Sequence, residues 1–232
     1  GLEANKRTIP NETLAVKITA QGGVATAEEH DFLINHYHLD TVGWGTPFLL
    51  VPEATTVDKA TRKQLQEAKE KDLYLSSISP LGVPFNTLRD SSKDIERFQK
   101  IEEGKPGSPC PRKFLALSNE YGTEGVCTAS RLFQKNKIEE KGISDQITEK
   151  TCLCMGLAAT AVINYNIETR ESKGVSICPG PNMAYFSKEL SLPEMVHHIY
   201  NDLKEVVCTE RPNMFVNELG MYLKFFSKNI EE

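Results

Sequence analysis

The sequence predicts an α/β protein: a βαβ unit near the N-terminus, then an α+β region that carries the cysteines. Three observations lead there. Residues 13–20, TLAVKITA, and 41–51, TVGWGTPFLLV, are runs of β-favouring apolar residues, and residues 26–37 between them read as a helix. Further on, capped helical segments are mixed with short strand-like runs. Hydrophobic residues make up 39% of the 232, enough for a real core in one large domain or two small ones.

Residues 13–20 are apolar enough to form a strand buried on both faces, as in a parallel sheet. Gln21, Gly22 and Gly23 end it. Thr26 and Glu29 form a capping box, and the helix carries Phe32, Leu33 and Tyr37 towards a core. A strand, helix and strand this close together make a right-handed unit with parallel strands. Residues 58–71 then read as a charged surface helix. Residues 73–92, with two prolines, a glycine and several serines, read as an ordered loop. A helix over 92–103 ends at Gly104, and the glycine and proline of residues 102–113 mark a flexible boundary. There follow a short strand at 113–118, a helix over 128–140 closed by Gly142, and a helical stretch over 144–164 broken near 152–156. Residues 173–182 supply a strand and a tight turn. Ser191 and Glu194 form a second capping box for a helix to about residue 204. The last helix is amphipathic, with Phe215, Leu219, Tyr222, Leu223 and Phe226 on one side. The chain thus divides into a βαβ segment (1–57), a helical and loop connection (58–104) and a cysteine-bearing region (105–232).

Two glycine loops carry the chief chemical signal. Gly22 and Gly23 follow the first strand, and Gly43 and Gly45 flank Trp44 at the second. In a parallel sheet these loops are neighbours. Glycines let backbone N–H groups converge on a phosphate, and the dipole and free N–H groups of the following helix add to the attraction.

The stretch AQGGVATAEEHDFLINHYHLDTVGWGTPFLL resembles the seventh and eighth strand–helix units of flavin-mononucleotide-dependent (β/α)8 barrels. These include hydroxy-acid oxidases, nitronate monooxygenases and the synthase domain of glutamate synthase. Ala20, Gly22 and Gly23 match the first family motif, and Asp40, Val42, Gly43, Gly45, Pro47 and Phe48 the second. The resemblance is confined to about residues 14–50. It implies that the fold is a terminal βαβ piece of a (β/α)8 barrel joined to the cysteine-bearing region. It also implies that Gly22, Gly23, Gly43, Gly45 and Thr46 bind a phosphate-containing small molecule, FMN in an intact flavin-dependent oxidoreductase. The ring contacts and catalytic bases of the family lie upstream of the matched units, which makes an N-terminal part of the same protein the expected partner. No catalytic residue is assigned.

The six cysteines are too sparse for a disulfide scaffold and fit reduced thiols in the cytoplasm. In a loop, Cys152 and Cys154 can direct two thiolates to one metal. Cys127 and Cys178 complete a set of four for zinc or an iron–sulfur cluster, with Cys110 as a fifth candidate; burial as inert thiols is the alternative. A third possibility is thiol-based redox chemistry at Cys127 or Cys154. Cys127 would stand at a helix start with Arg131 one turn on, and both would lower its pKa.

His30 and Asp31 approach the glycine loop, whereas His36 and His38 cap the far end of their helix. Of His197 and His198, one faces solvent and the other packs. Trp44 can stack on a ligand or fill the core. Residues 176–187, SICPGPNMAYFS, form a rigid loop with Asn182 and Tyr185 as hydrogen-bonding groups. The net charge of −5 offers no field for nucleic acid, and no apolar run approaches the roughly 20 residues that span a bilayer. A non-catalytic binding or structural module is the competing functional class.

Overall fold

The computed structural model describes all residues except Leu2, Pro10, Thr13, Thr123, 170–173, Asp202, Lys204 and Glu232. It is mixed α/β, with eight α-helices and four short strands among the described residues. Strand β1 (Thr19–Gln21), helix α1 (Ala27–Tyr37) and strand β2 (Thr41–Gly43) form the N-terminal unit. The strands pair parallel, with Thr19 opposite Thr41 and Gln21 opposite Gly43. Both are shorter than the sequence suggests. Leu14, Val16 and Ile18 are 66%, 72% and 59% exposed, so the expected strand buried on both faces is not formed. A two-stranded sheet covers one edge and leaves the other without a neighbour; Thr13 lies outside the described residues. Beyond Gly43 the chain winds into a 3-10 helix, Thr46–Leu50, with Pro47 in its first turn, where a ring without an N–H suits a helix start better than a ladder.

Helix α2 (Lys59–Glu67) is capped by Asp58, whose carboxylate accepts from the Thr61 N–H and hydroxyl. As expected of a charged surface helix, Lys59, Lys63 and Glu67 are exposed, while its other face buries Leu65 fully. The expected loop over 73–92 is an antiparallel hairpin of β3 (Leu73–Ser76) and β4 (Phe85–Leu88). The prolines fall in its connection, which is where a hairpin tolerates them. Helix α3 (Ser92–Glu102) starts on a Ser91 cap, as its composition suggests.

The proposed flexible boundary is tied down. Ser108 donates to Ala129 O and accepts from Arg131 N, and a Cβ at Gly107 would lie 2.8 Å from the Arg131 nitrogen. The expected strand at 113–118 reduces to one bridge between Ser118 and Val126. Helices α4 (Arg131–Lys141), α5 (Asp145–Thr148) and α6 (Leu153–Asn164) follow; the break falls at residues 149–152 rather than 152–156, so Cys154 and Gly156 lie within α6 and not in the loop expected to aim two thiolates at one metal. Residues 174–180 form no strand but are tied to Ser92 Oγ, Lys93 N and Gly156 O, and Pro181–Tyr185 is a 3-10 turn; Lys173 lies outside the described residues. Helix α7 (Leu192–Asn201) precedes α8 (Met214–Glu231), and the expected extension of α7 to residue 204 reaches Asp202 and Lys204, outside the described residues. The α8 residues Phe215, Leu219, Tyr222, Leu223 and Phe226 are all more than 40% exposed, and Phe215 packs against the rings of Phe32 and Tyr37.

One apolar cluster joins Ala25, Leu50, Leu65, Leu88, Ile177, Met183, Phe186 and Val206. The N-terminal segment up to Leu88 and the segment from Ile177 to Val206 thus share one core.

Candidate functional site

The two glycine loops line one cavity of about 270 Å³ at the C-terminal ends of β1 and β2. Gln21, Gly22, Gly23, Val24, Gly43, Trp44, Gly45 and Thr46 surround it, so all five residues assigned to phosphate binding are brought together. Gly22 (φ +96°) and Gly45 have open space where a Cβ would stand. Gly43 is used differently: a Cβ there would lie 2.8 Å from the Gln21 side chain, so this glycine lets the paired chains close up. A Cβ on Gly180 would strike the Thr46 hydroxyl, which places the CPGPN turn against the cavity's rim.

The loop behind the cavity is held by its carbonyls. Arg211 Nη2 donates to Gly23 O (2.5 Å), Asn182 Nδ2 to Val24 O (3.2 Å), and His198 Nε2 to Ala25 O (2.8 Å). His198 Nδ1 accepts from Leu203 N, which fixes the neutral tautomer with its proton on Nε2. Arg211 also donates to Asn182 Oδ1 (2.7 Å) and to Glu29 Oε1 (2.8 Å). Both members of the Arg211–Glu29 ion pair are buried. Glu29 takes the Ala25 and Met214 N–H groups as well. Sequence reasoning found Asn182 but missed Glu29 in this role and Arg211 altogether. The only signal was an arginine just ahead of the last apolar helix.

At the α1 N-terminus, Thr26 Oγ1 accepts from Glu29 N, and the Glu29 carboxylate accepts the Ala25 N–H just ahead of the helix. Around the cavity, Trp44 donates its indole N–H to His30 Nδ1 (3.0 Å) and packs edge-on to His198. His36 stacks on Phe32, His38 provides a left-handed C-cap, and Asp31 is exposed. His197 is exposed and His198 buried, as the one-in, one-out expectation had it. Tyr185 donates to Glu70 rather than towards a ligand, and burial with that bond pushes its hydroxyl up to about 12. A larger hollow of about 510 Å³ runs along α7, lined by Leu192, Val196 and Tyr200.

Of the assigned metal ligands, Cys127, Cys152 and Cys154 interact electrostatically with one another, and the fourth thiol in that group is Cys110. Cys178 is exposed and interacts with none of them. Among the described residues, no three His, Cys, Asp or Glu side chains are grouped to hold a metal ion. Nor is Cys127 an activated thiol. Helix α4 starts at Arg131 with Ser130 as its cap, and burial, reinforced by the neighbouring thiols, pushes Cys127 up to about 11. Cys154 is raised as well, first by burial.

Among the described residues, no helix is long and apolar enough to cross a membrane. No family model and no curated protein matches the sequence. A solved structure to which the chain is similar is the enoyl reductase domain of MlnA from the macrolactin biosynthesis cluster of Bacillus amyloliquefaciens, with 16% identity and a TM-score of 0.34. The alignment covers 99% of this chain and 52% of that one, so the chain spans about half its length.

Proposed function

We propose that the chain is the C-terminal part of an FMN-dependent oxidoreductase-like barrel protein, and that its glycine cavity grips the phosphate end of the nucleotide. The observation that carries this reading is the meeting of two glycine loops at the same end of a parallel strand pair, with room at Gly22 and Gly45 for a ligand to touch backbone. The residues fit a phosphate. The cavity, at about 270 Å³, is below the roughly 300–1,000 Å³ usual for a whole small-molecule site. In this reading Gly22, Gly23, Gly45 and Thr46 hold the phosphate, Gly43 sets the spacing, and strand–helix units N-terminal to this chain hold the ring. The flavin, when bound, supplies hydride transfer. This chain's residues bind and orient it.

Fluorescence polarisation tests the reading directly. Flavin mononucleotide should show raised polarisation with the chain, riboflavin should not, and excess inorganic phosphate should reverse the effect. Gly45→Val, which fills the open space, should abolish it. Equal binding of riboflavin and its phosphate would overturn the reading.

A second reading is a non-catalytic module whose thiols hold zinc or an iron–sulfur cluster; Cys110, Cys127, Cys152 and Cys154 influence one another electrostatically, but among the described residues no three such side chains are grouped to hold a metal ion. Elemental analysis after purification without oxygen decides it; a metal content near zero removes it. The raised Cys127 and Cys154 thiols count against a thiol enzyme. With iodoacetamide at pH 7.5, about one unit below an ordinary thiol, Cys127 should react more slowly than a free thiol, and its rate should keep rising towards pH 11.

A further inference from the structure

We propose that Arg211 is the positioning residue of the glycine cavity: it holds the Gly23–Val24 peptide so that the Val24 N–H faces the bound anion. The ligand's identity as a phosphate monoester rests on the reading above; the geometry does not. Arg211 Nη2 donates to Gly23 O at 2.5 Å. In a planar trans peptide the C=O and the following N–H point to opposite sides, and the chain has no cis peptide among its described residues. With the carbonyl turned inward to Arg211, the Val24 N–H is turned outward. Val24 lines the cavity and is 3% exposed. Among the described residues its N–H has no acceptor, which is rare for a buried amide. The next N–H, that of Ala25, is by contrast taken by Glu29.

The arrangement separates aim from charge. The Arg211 guanidinium is paired with Glu29, so the two together bring little net charge to the cavity. Its contribution is the three-way grip on Gly23 O, Asn182 Oδ1 and Glu29 Oε1, which fixes a peptide dipole before any ligand arrives. A lysine keeps the charge but has a single nitrogen, and cannot reproduce that planar fork. Asn182 and His198, on the next two carbonyls, keep the loop from turning over around this peptide.

The test is backbone amide NMR of the whole chain, with inorganic phosphate as the probe. Without phosphate, the Val24 amide should exchange with solvent much faster than Ala25, and its resonance should move in Arg211→Lys. On adding phosphate, Val24 should shift along with Gly22 and Gly45. Arg211→Lys should weaken phosphate binding tenfold or more, and in Arg211→Ala added guanidinium should restore it while the same buffer without guanidinium does not. Near-ultraviolet circular dichroism checks that each variant keeps its packing, and Arg211→Lys carries the comparison should Arg211→Ala not fold. The positioning role is overturned by an unmoved Val24 resonance in Arg211→Lys, by phosphate binding within twofold of wild type in that variant, or by phosphate shifts at the glycines that leave Val24 untouched. If phosphate moves no amide around the cavity, the phosphate reading fails, and the ligand-free comparison alone decides the role of Arg211.

Discussion

Helices α1 and α7 open on the same written signal and use it differently. At α7, Ser191 and Glu194 close a full capping box: Ser191 Oγ accepts from Glu194 N, and the Glu194 carboxylate accepts the Ser191 N–H and hydroxyl at 2.8 and 2.6 Å. At α1 the Thr26 half is made, but Glu29 turns away to Ala25, Met214 and Arg211. The surroundings make the difference. Glu194 is exposed and has only local donors, whereas Glu29 is 5% exposed and faces an arginine 182 residues further on. A local motif states which groups a carboxylate can reach; burial beside a cation decides which it takes.

The largest test of that contrast is Arg211→Met. It leaves a buried carboxylate and the Gly23 carbonyl without their cation, and should cost about 3–5 kcal/mol of stability, read from urea unfolding. A loss below about 1 kcal/mol, the range of surface ion pairs, would mean that Glu29 is not held by the pair. Next is His198→Phe, which fills similar space but strands Ala25 O and Leu203 N; about 1–3 kcal/mol is expected in the same assay. Ser191→Ala should cost roughly 1 kcal/mol or less, since its cap is exposed. The smallest effect is its pH dependence. The Ser191 hydroxyl, and then its N–H, hold the Glu194 carboxyl below its ordinary value. A lowered folded pKa gives stability that is complete above the unfolded value, near 4.3, and lost as pH falls through the folded one. The gap between wild type and Ser191→Ala should therefore narrow as pH falls below the unfolded value near 4.3, leaving only the neutral bond from Glu194 N to Ser191 Oγ; a gap that stays constant into acid would show that the box is not ionic.

What could be read from the sequence was local. Alternation and capping residues placed β1, α1 and β2, and the parallel pairing followed from their closeness along the chain. Glycine spacing named the residues around the cavity. Residues 73–92 misled because Pro80, Gly82 and Pro84 look like loop composition, and nothing local reveals that Tyr74 and Thr87 face each other across a hairpin. Leu14, Val16 and Ile18 misled in the opposite way: their apolar character is real, but burial depends on neighbours that a pattern does not contain. Nor does the spacing of the cysteines reveal that Cys110, 17 residues upstream, affects Cys127 electrostatically while Cys178 lies exposed. Arg211 was invisible because its three acceptors lie 29, 182 and 188 positions away.

The three carbonyls of Gly23, Val24 and Ala25 are groups that every residue possesses, whereas each donor that reaches them needs a particular side chain. The loop's identity is therefore partly written elsewhere. Positions 24 and 25 need only a small or medium apolar side chain, while Asn182, His198 and Arg211 each need a particular donor, so the chemical constraint that keeps the cavity in shape lies mostly in the last quarter of the chain.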